Sequence, residues 1–250
     1  VSSWVEYLLE MIDERYSYDF KLYNRDMIQR RLEAFMIKHS IKELQNAIGA
    51  ILFDKSAFKD FFLEVSINVT QFFRNPKSYK NIAKILLENY QHSYSVKVWS
   101  AGCSSGKESY SMAIMLQNLN MLEKSIIYAT DFNGVVIEEA KNGIYSNEAY
   151  ETACKNFDEM GLNDSFNNYV VKNDNFIKMK KKIREKALFF QHNLIKDSSF
   201  NEFDIIICKN VLIYFNEELQ KKVFGLLYDS LKYGGFLVLG ESEAIHHSFT

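Results

Sequence analysis

Apolar residues recur at three-to-four spacing over Trp4–Glu14, Asp26–His39, Ile41–Ala50 and Ser56–Ser66, and no strand signal interrupts them. That period puts one face of each segment against a core, so residues 1–70 are expected to form an all-helical domain. From Ser95 the pattern changes. Short β-rich runs at Val96–Ser100, Ile126–Thr130, Ala187–Gln191, Asp204–Cys208 and Phe236–Gly240 alternate with helical stretches at Ser109–Asn120, Gly134–Lys141 and Glu217–Lys232. Such alternation predicts an α/β fold with a parallel sheet and crossover helices over residues 71–250. Pro76, the only proline, follows Arg74-Asn75 and is placed to start a helix running to Tyr90. Between Asn142 and Lys186 the alternation breaks into an acidic helical stretch and then a run in which Ile177 and Met179 alternate with Lys178 and Lys180. A small β-subdomain inserted at about residues 166–186 is expected there.

Composition narrows the class without choosing a function. The chain has 250 residues, nearly half of them apolar, enough for one or two well-buried cores. Cys103, Cys154 and Cys208 lie far apart with neither metal-site nor disulfide-framework spacing, and read as free thiols in a reducing compartment. Apolar runs such as Ile205-Ile206-Ile207-Cys208 fall far short of the ~18 residues that cross a bilayer. The start, Val1-Ser2-Ser3-Trp4, has no signal-peptide pattern and no initiator Met, so a cytoplasmic protein with a trimmed N-terminus is expected. The formal net charge of −2 argues against a generic polyanion binder. Two stretches are nonetheless locally basic: Glu14–Lys42 has seven Lys/Arg against four Asp/Glu, and Lys172–Lys186 has seven against two. Solvated faces account for most such runs; an acidic macromolecular partner is the alternative.

The candidate chemistry lies after the first strand, in Ser100-Ala101-Gly102-Cys103-Ser104-Ser105-Gly106-Lys107-Glu108. A glycine-containing turn between a strand and a helix lets a backbone approach a nucleotide-like ligand at the carboxyl end of the sheet, although it is as often only a tight turn. The next strand ends in Asp131, where a carboxylate can accept both hydrogen bonds of a ribose diol, or merely cap a helix. The turn lacks the Gly-Lys-Ser/Thr ending of a P-loop, and Glu108 would repel a pyrophosphate. A sulfonium ligand with a cationic amino-acid end suits that charge better. The five histidines, His39, His92, His192, His246 and His247, show neither triad nor metal spacing, and no metal is expected.

Five strings extend these observations: Asn68-Val69-Thr70-Gln71-Phe72-Phe73-Arg74-Asn75-Pro76, the loop from Val98 to Ser111, Tyr128-Ala129-Thr130-Asp131, the stretch Phe203–Phe215 with Lys209-Asn210-Val211-Leu212-Ile213-Tyr214, and Gly234–Glu243. In this order they resemble the CheR family of chemoreceptor glutamate methyltransferases over most of the chain. The resemblance implies a helical N-terminal domain followed by a Rossmann-like class I methyltransferase domain with a small inserted β-subdomain. It implies S-adenosylmethionine as methyl donor, with S-adenosylhomocysteine as product, and contacts from Asn68, Thr70, Arg74 and Glu108, from Asp131 to the ribose, and from Asn193, Leu194, Lys209 and Asn210 on the adenine side. It also puts Tyr214 beside the transferred methyl group; the alternative for Tyr214 is one more packing aromatic in the Ile213-Tyr214-Phe215 run. Three positions depart from the family pattern, which usually has Arg at 209, Pro at 109 and often Glu at 107, where this chain has Lys209, Ser109 and Lys107. Lys209 keeps the charge but lacks the planar fork of a bidentate contact.

The implied reaction needs little acid–base help, because a glutamate side chain with a reference pKa of about 4.3 is already an anion at neutral pH. Alignment in a dry, charge-matched site is what remains to be supplied, and Arg74 is the candidate to steer a carboxylate. The expected partner is the Glu-rich helical cytoplasmic domain of chemoreceptors, met by Arg25, Arg30 and Arg31 of the N-terminal basic segment, with Lys178 and Lys180 of the inserted strands in support. Some family members hold a receptor C-terminal pentapeptide on the inserted subdomain and carry a glycine-containing loop there. Asn168–Phe176 has no glycine, so independence of the pentapeptide is expected. A nucleic-acid methyltransferase is disfavoured, because a single proline, Pro76, rules out both the Asp/Asn-Pro-Pro-aromatic and the Pro-Cys motifs. A non-catalytic sensor of the cofactor and a methyltransferase acting on another protein stay open. The family's final antiparallel hairpin has no counterpart before Thr250, so an open sheet edge at a trimmed C-terminus is expected.

Overall fold

A computed structural model describes residues 2–16, 18–65 and 70–245. They form two compact units, one containing residues up to 65 together with 211–223, the other containing 70–210 and 224–245.

The first unit is helical, as its period predicts. Helices α1 (Ser2–Tyr16), α2 (Arg25–Lys38), α3 (Leu44–Phe53) and α4 (Lys55–Val65) turn their apolar stripes inward. Leu8, Leu9, Ile12, Ile28, Leu32, Phe35, Ile51 and Phe61 are buried in its core, each contributing about 1.5–3 kcal/mol relative to exposure. Aromatic contacts fill the remaining gaps: Tyr16 stacks on Phe58 with centroids 3.6 Å apart, and Phe35 meets Phe61 edge-on at 5.9 Å. Asn24 caps α2 by accepting a hydrogen bond from the Met27 amide at 3.2 Å. Just before that cap, Tyr23 forms an antiparallel bridge with Phe215, so the segment at 211–223 belongs to this unit and not with the rest of 71–250. Backbone pairing between distant segments leaves no periodic trace, so the expected limits of 1–70 and 71–250 could not include it.

In the second unit the expected parallel sheet is present. Its strands are β1 (Val96–Ala101), β2 (Ser125–Asp131), β6 (Ala187–Gln191), β7 (Phe203–Cys208) and β8 (Leu231–Leu239), in the order β6-β2-β1-β7-β8 and all parallel. Helices α5 (Pro76–Tyr90), α6 (Lys107–Asn118) and α7 (Gly134–Asn142) lie in the sequence around β1 and β2, and α10 (Glu217–Asp229) precedes β8. Central strands buried on both faces explain runs such as Phe203-Asp204-Ile205-Ile206-Ile207-Cys208, in which every residue is buried. The chain starts in the middle of the sheet at β1, runs outward through β2 to β6, then returns to β7 on the other side. The neighbours of β1 therefore diverge, which opens a crevice at its carboxyl end.

The inserted sheet is antiparallel, in the order β3-β5-β4, from β3 (Ile144–Ser146), β4 (Val170–Lys172) and β5 (Phe176–Met179). Helix α8 (Asn147–Met160) separates its first two strands, and the four-residue α9 (Lys181–Arg184) follows it. The sheet thus begins before the expected 166–186, because a three-residue strand is too short to show an alternation. Ile177 and Met179 face inward and Lys178 and Lys180 outward, as the alternation predicts. The last helix stops at Asp229, short of the expected Lys232, because Leu231 already pairs with Phe203 in β8. Gly234, at φ 76°, makes the irregularity that hides the start of this strand from its sequence pattern. Among the described residues β8 is an edge of the sheet. All three cysteines are free.

One buried acid ties three parts of this unit together. Asp204 accepts from the Lys97 amide at 2.7 Å and from Lys232 Nζ at 2.8 and 2.9 Å, while its own carbonyl accepts from Tyr90 Oη at 3.0 Å. Asp204→Ala leaves those side-chain-bonded donors unpaired and is expected to cost about 2–3 kcal/mol of stability, read as a lower denaturation midpoint with an unchanged slope in urea.

Candidate functional site

The turn after β1 is shaped by two carbonyl-directed amides and three left-handed residues. Gly102 N–H and Cys103 N–H both donate to the Thr130 carbonyl at 2.8 Å, folding the turn back over the end of β2. Gly102, Ser104 and Gly106 have φ of 77°, 51° and 83°. At Gly106 a Cβ would stand 2.8 Å from that of Ala140 and 3.0 Å from the Phe189 ring, so glycine is required there for both conformation and space. Non-glycine Ser104 is held in its conformation by a specific bond, its amide donating to Asp131 Oδ2 at 2.9 Å.

Asp131 ends β2 and is buried, and its other oxygen, Oδ1, accepts from the Asn133 amide at 3.0 Å. Burial raises its pKa from 3.8 to about 6, against the lowering effect of the bonded amides of Asn133, Ser104 and Phe132. The folded chain therefore holds a proton at Asp131 more tightly than the unfolded chain does. The cost of burying this carboxylate is absent below pH 3.8, grows as the pH rises to about 6, and is constant above that. Cys103 beside it is also buried, and burial with the charges of Asp131 and Glu108 pushes its thiol far up, which makes it unreactive.

A second cluster joins the first turn of α6 to the end of β7. Lys209 Nζ lies 3.2 Å from Glu108 Oε2, with both side chains largely buried, and 4.5 Å from the centre of the Tyr79 ring. The other Glu108 oxygen accepts from Ser100 Oγ at 3.0 Å. This pairing is how the chain accommodates Lys at 209: a single ammonium matched to one carboxylate oxygen and an aromatic face needs no planar fork. Lys107, the other departure in this loop, reaches Ser105 Oγ at 3.1 Å and lies 5.0 Å from the Tyr145 ring, and its partial burial lowers its pKa. At Asn210 the backbone turns left-handed at φ 60°. Its amide and that of Gly240 donate to the same oxygen of Glu243, at 2.8 and 2.7 Å, which binds the loop after β7 to the end of β8. A Cβ on Gly240 would come within 2.6 Å of that oxygen.

Arg74 is exposed between two left-handed residues, Phe73 at φ 50° and Asn75 at φ 59°. A bulky residue in that region is strained by about 1–3 kcal/mol, offset here by burial. The Phe73 ring packs against Tyr79 and Phe157, and its amide donates to Ser111 Oγ at 2.9 Å. Asn75 caps α5 at the Ser78 amide and donates to Glu241 Oε1 at 2.7 Å. The result is a cleft of about 570 Å³ whose lining includes Arg74, Ser78, Lys209, Asn210 and Glu241.

Of the residues expected from the sequence, Arg74, Lys209 and Asn210 thus share one cleft, Glu108 joins them through Lys209, and Asp131 stands under the turn after β1. Asn193 follows β6 in a turn of its own, accepting from the Ile195 amide at 2.9 Å, with buried Leu194 beside it. Thr70 is half-buried, and Asn68 lies outside the described residues. Tyr214, Arg25, Arg30 and Arg31 belong to the helical unit, Lys178 to β5 of the inserted sheet, and Lys180 to the position just after it. Ser104, Ser100 and Glu243 were not singled out from the sequence. The string Gly240-Glu241-Ser242-Glu243 pointed to the last of them, whereas a backbone amide such as that of Ser104 has no sequence signature.

The fold agrees with the comparisons to known proteins. The family profile described as CheR methyltransferase, SAM binding domain, matches residues 68–250, and that described as CheR methyltransferase, all-alpha domain, matches residues 5–66. The chain is 35% identical over 244 residues to Cher3 of Pseudomonas putida, covering 98% of this chain and 89% of that protein. It is 30% identical over 243 residues to a chemotaxis protein methyltransferase of Listeria monocytogenes, covering 96% and 89%. A 104.1 kDa protein of Rhodobacter capsulatus is 27% identical over 246 residues, 95% of this chain but 25% of its own length.

Lys209→Met would strand the largely buried Glu108 charge and is expected to lower stability by about 3 kcal/mol, whereas Lys209→Arg keeps the pair and should lie within about 1 kcal/mol of the parent. Thermal and urea unfolding of the two variants side by side measures the difference.

Proposed function

The chain belongs to the CheR family of S-adenosylmethionine-dependent methyltransferases, and on that premise we propose that it methylates glutamate side chains in the helical cytoplasmic domain of bacterial chemoreceptors, forming methyl esters in chemotactic adaptation. The observation that carries this reading is the pairing of the left-handed turn after β1 with Asp131 through the Ser104 amide. A glycine-bracketed turn and an ionisable strand-end carboxylate, side by side at the divergence of the sheet, fit an adenosyl group. In this reading Asp131 accepts from the ribose hydroxyls, Asn193, Leu194 and Asn210 border the adenine, and Glu108 faces the amino-acid end, with Asn68 and Thr70 contributing from the segment before Arg74.

When bound, S-adenosylmethionine supplies an electrophilic methyl group on a positively charged sulfur. The acceptor carboxylate needs no base, since it is already ionised. Arg74 steers it by charge-assisted hydrogen bonds, and Tyr214 stands beside the transferred methyl group. Lys209 is paired with Glu108, and Arg74 lines the same cleft. Transfer to the carboxylate oxygen would leave S-adenosylhomocysteine as product and would need no proton moved by the residues of the chain.

Docking, in the same reading, is electrostatic. Arg30 is exposed on α2, with its Nε on the Asp26 carbonyl at 3.2 Å, and Arg25 lies at the start of that helix, paired with Glu6 at 2.7 Å. Lys178 is exposed on the inserted sheet and Lys180 just after it. The turn between β4 and β5 is closed by Asn173, whose Oδ1 accepts from the amides of Asn175 and Phe176 at 2.9 and 2.8 Å, without glycine. This short closure supports docking that does not depend on a receptor pentapeptide. No helix among the described residues is long and apolar enough to cross a membrane, in keeping with a cytoplasmic enzyme.

The test is incubation with methyl-labelled S-adenosylmethionine and receptor cytoplasmic fragments. Label released by mild alkali as methanol identifies an ester. Alkali-stable label, or none, would overturn the proposal. Arg74→Ala is expected to lose most transfer, roughly a hundredfold, with S-adenosylhomocysteine affinity less affected.

Asp131 gives a separate pH signature. If its ionised form accepts from the ribose, S-adenosylhomocysteine affinity should be constant above pH about 6 and fall by about tenfold per unit well below it. Calorimetry across pH 5–8 with the parent and Asp131→Ala checks this, the variant binding weakly at every pH.

A further inference from the structure

Tyr214 sits in a short turn tied by hydrogen bonds to the segment at Leu22–Asn24 and to Gln220. The turn runs over Leu212–Tyr214, with the Phe215 amide donating to the Leu212 carbonyl at 3.0 Å. The Asn24 amide donates to the Tyr214 carbonyl at 2.9 Å, and the Asn216 amide to the Leu22 carbonyl at 3.0 Å. The Tyr23 ring meets Phe215 edge-on at 5.1 Å. Asn216 caps the helix that follows, its Oδ1 accepting from the Leu219 amide at 2.9 Å.

Gln220, one turn into α10, completes this arrangement. Its amide nitrogen donates to the Leu212 carbonyl at 2.9 Å and to the Phe215 carbonyl at 3.1 Å. A primary amide has two hydrogens, and here each is directed at one end of the turn that contains Tyr214. The distance between those ends is thereby set by a single planar group. The Gln220 backbone is fixed in turn, its amide donating to the Asn216 carbonyl at 2.9 Å. An apolar side chain of the same length could fill the space but could not hold the two carbonyls.

We propose that Gln220 is a positioning residue: by bracketing the Leu212–Phe215 turn it fixes the direction of the Tyr214 side chain during methyl transfer. The proposal rests on the reading that Tyr214 stands beside the transferred methyl group. Gln220→Met retains length and loses both donors; Gln220→Glu retains shape and turns a carboxylate toward two carbonyl oxygens.

The experiment uses the full chain, receptor cytoplasmic fragments and methyl-labelled S-adenosylmethionine. Both variants are expected to lower kcat by roughly tenfold to a hundredfold, as a displacement of about 1 Å at a reacting group does. KM for the fragment and the S-adenosylhomocysteine dissociation constant should stay within about twofold. Introduced into Tyr214→Ala, the same substitutions should add nothing to the loss, since both changes then act on one element. Amide exchange at Tyr214 and Phe215 should be faster in Gln220→Met and unchanged in the β1–β2 core. Parent-like kcat in both variants, or losses that add fully to that of Tyr214→Ala, would overturn the proposal. Parent-like turnover by Tyr214→Ala alone would also overturn it, but through the reading of Tyr214, and the exchange data would still show whether Gln220 holds the turn.

Discussion

The hydrogen bond from the Ser104 amide to the Asp131 carboxylate is the contact on which the methyltransferase unit's site depends. It fixes the turn after β1 against the end of β2, with the strands themselves locked in register from Val96 opposite Ser125 to Ala101 opposite Thr130. A buried carboxylate held only by backbone amides is under electrostatic tension, shown by its upward-shifted pKa. Its amide donors, from Ser104, Asn133 and Phe132, offset only part of the cost of burial.

Charge is handled differently a few ångströms along the chain's own contacts. Glu108 and Lys209 neutralise one another, with Ser100 and the Tyr79 ring supplying what each still lacks. Tyr79, buried with the Glu108 charge nearby, has its phenol pushed well up and stays neutral. The unit therefore holds a buried carboxylate at Asp131 and an internally balanced pair at Glu108 and Lys209.

Much of this was legible in the sequence because it follows from period. Helices of three to four turns and buried strands such as Ile205–Cys208 announce themselves by the spacing of their apolar residues. Asp131 and the turn after β1 were found by position, at the ends of such strands, whereas the cation at 209 came from the family resemblance. What escaped was everything set by contacts between distant segments: β3, three residues long and recognisable only by its pairing with β5; the start of β8 behind the left-handed Gly234; the bond from Glu243 to the loop after β7; and the bridge from Tyr23 to Phe215. No local pattern encodes these, because each needs two parts of the chain to be placed before either residue has a role.

The bridge at Tyr23 bears on how such a protein can change over evolutionary time. The chain passes between its two units at 65–70, again at 210–211 and again at 223–224, so the segment with Tyr214 is an island of the helical unit within the sequence of the other. A recombination event that exchanged only the first seventy or so residues would replace the Leu22–Asn24 segment and keep a turn at 212–216 that no longer matched it. Compatible exchanges must carry both pieces at once, which a single crossover cannot do. The helical surface and the turn with Tyr214 are then inherited as one block, and change in this unit proceeds by point substitution in place of domain shuffling.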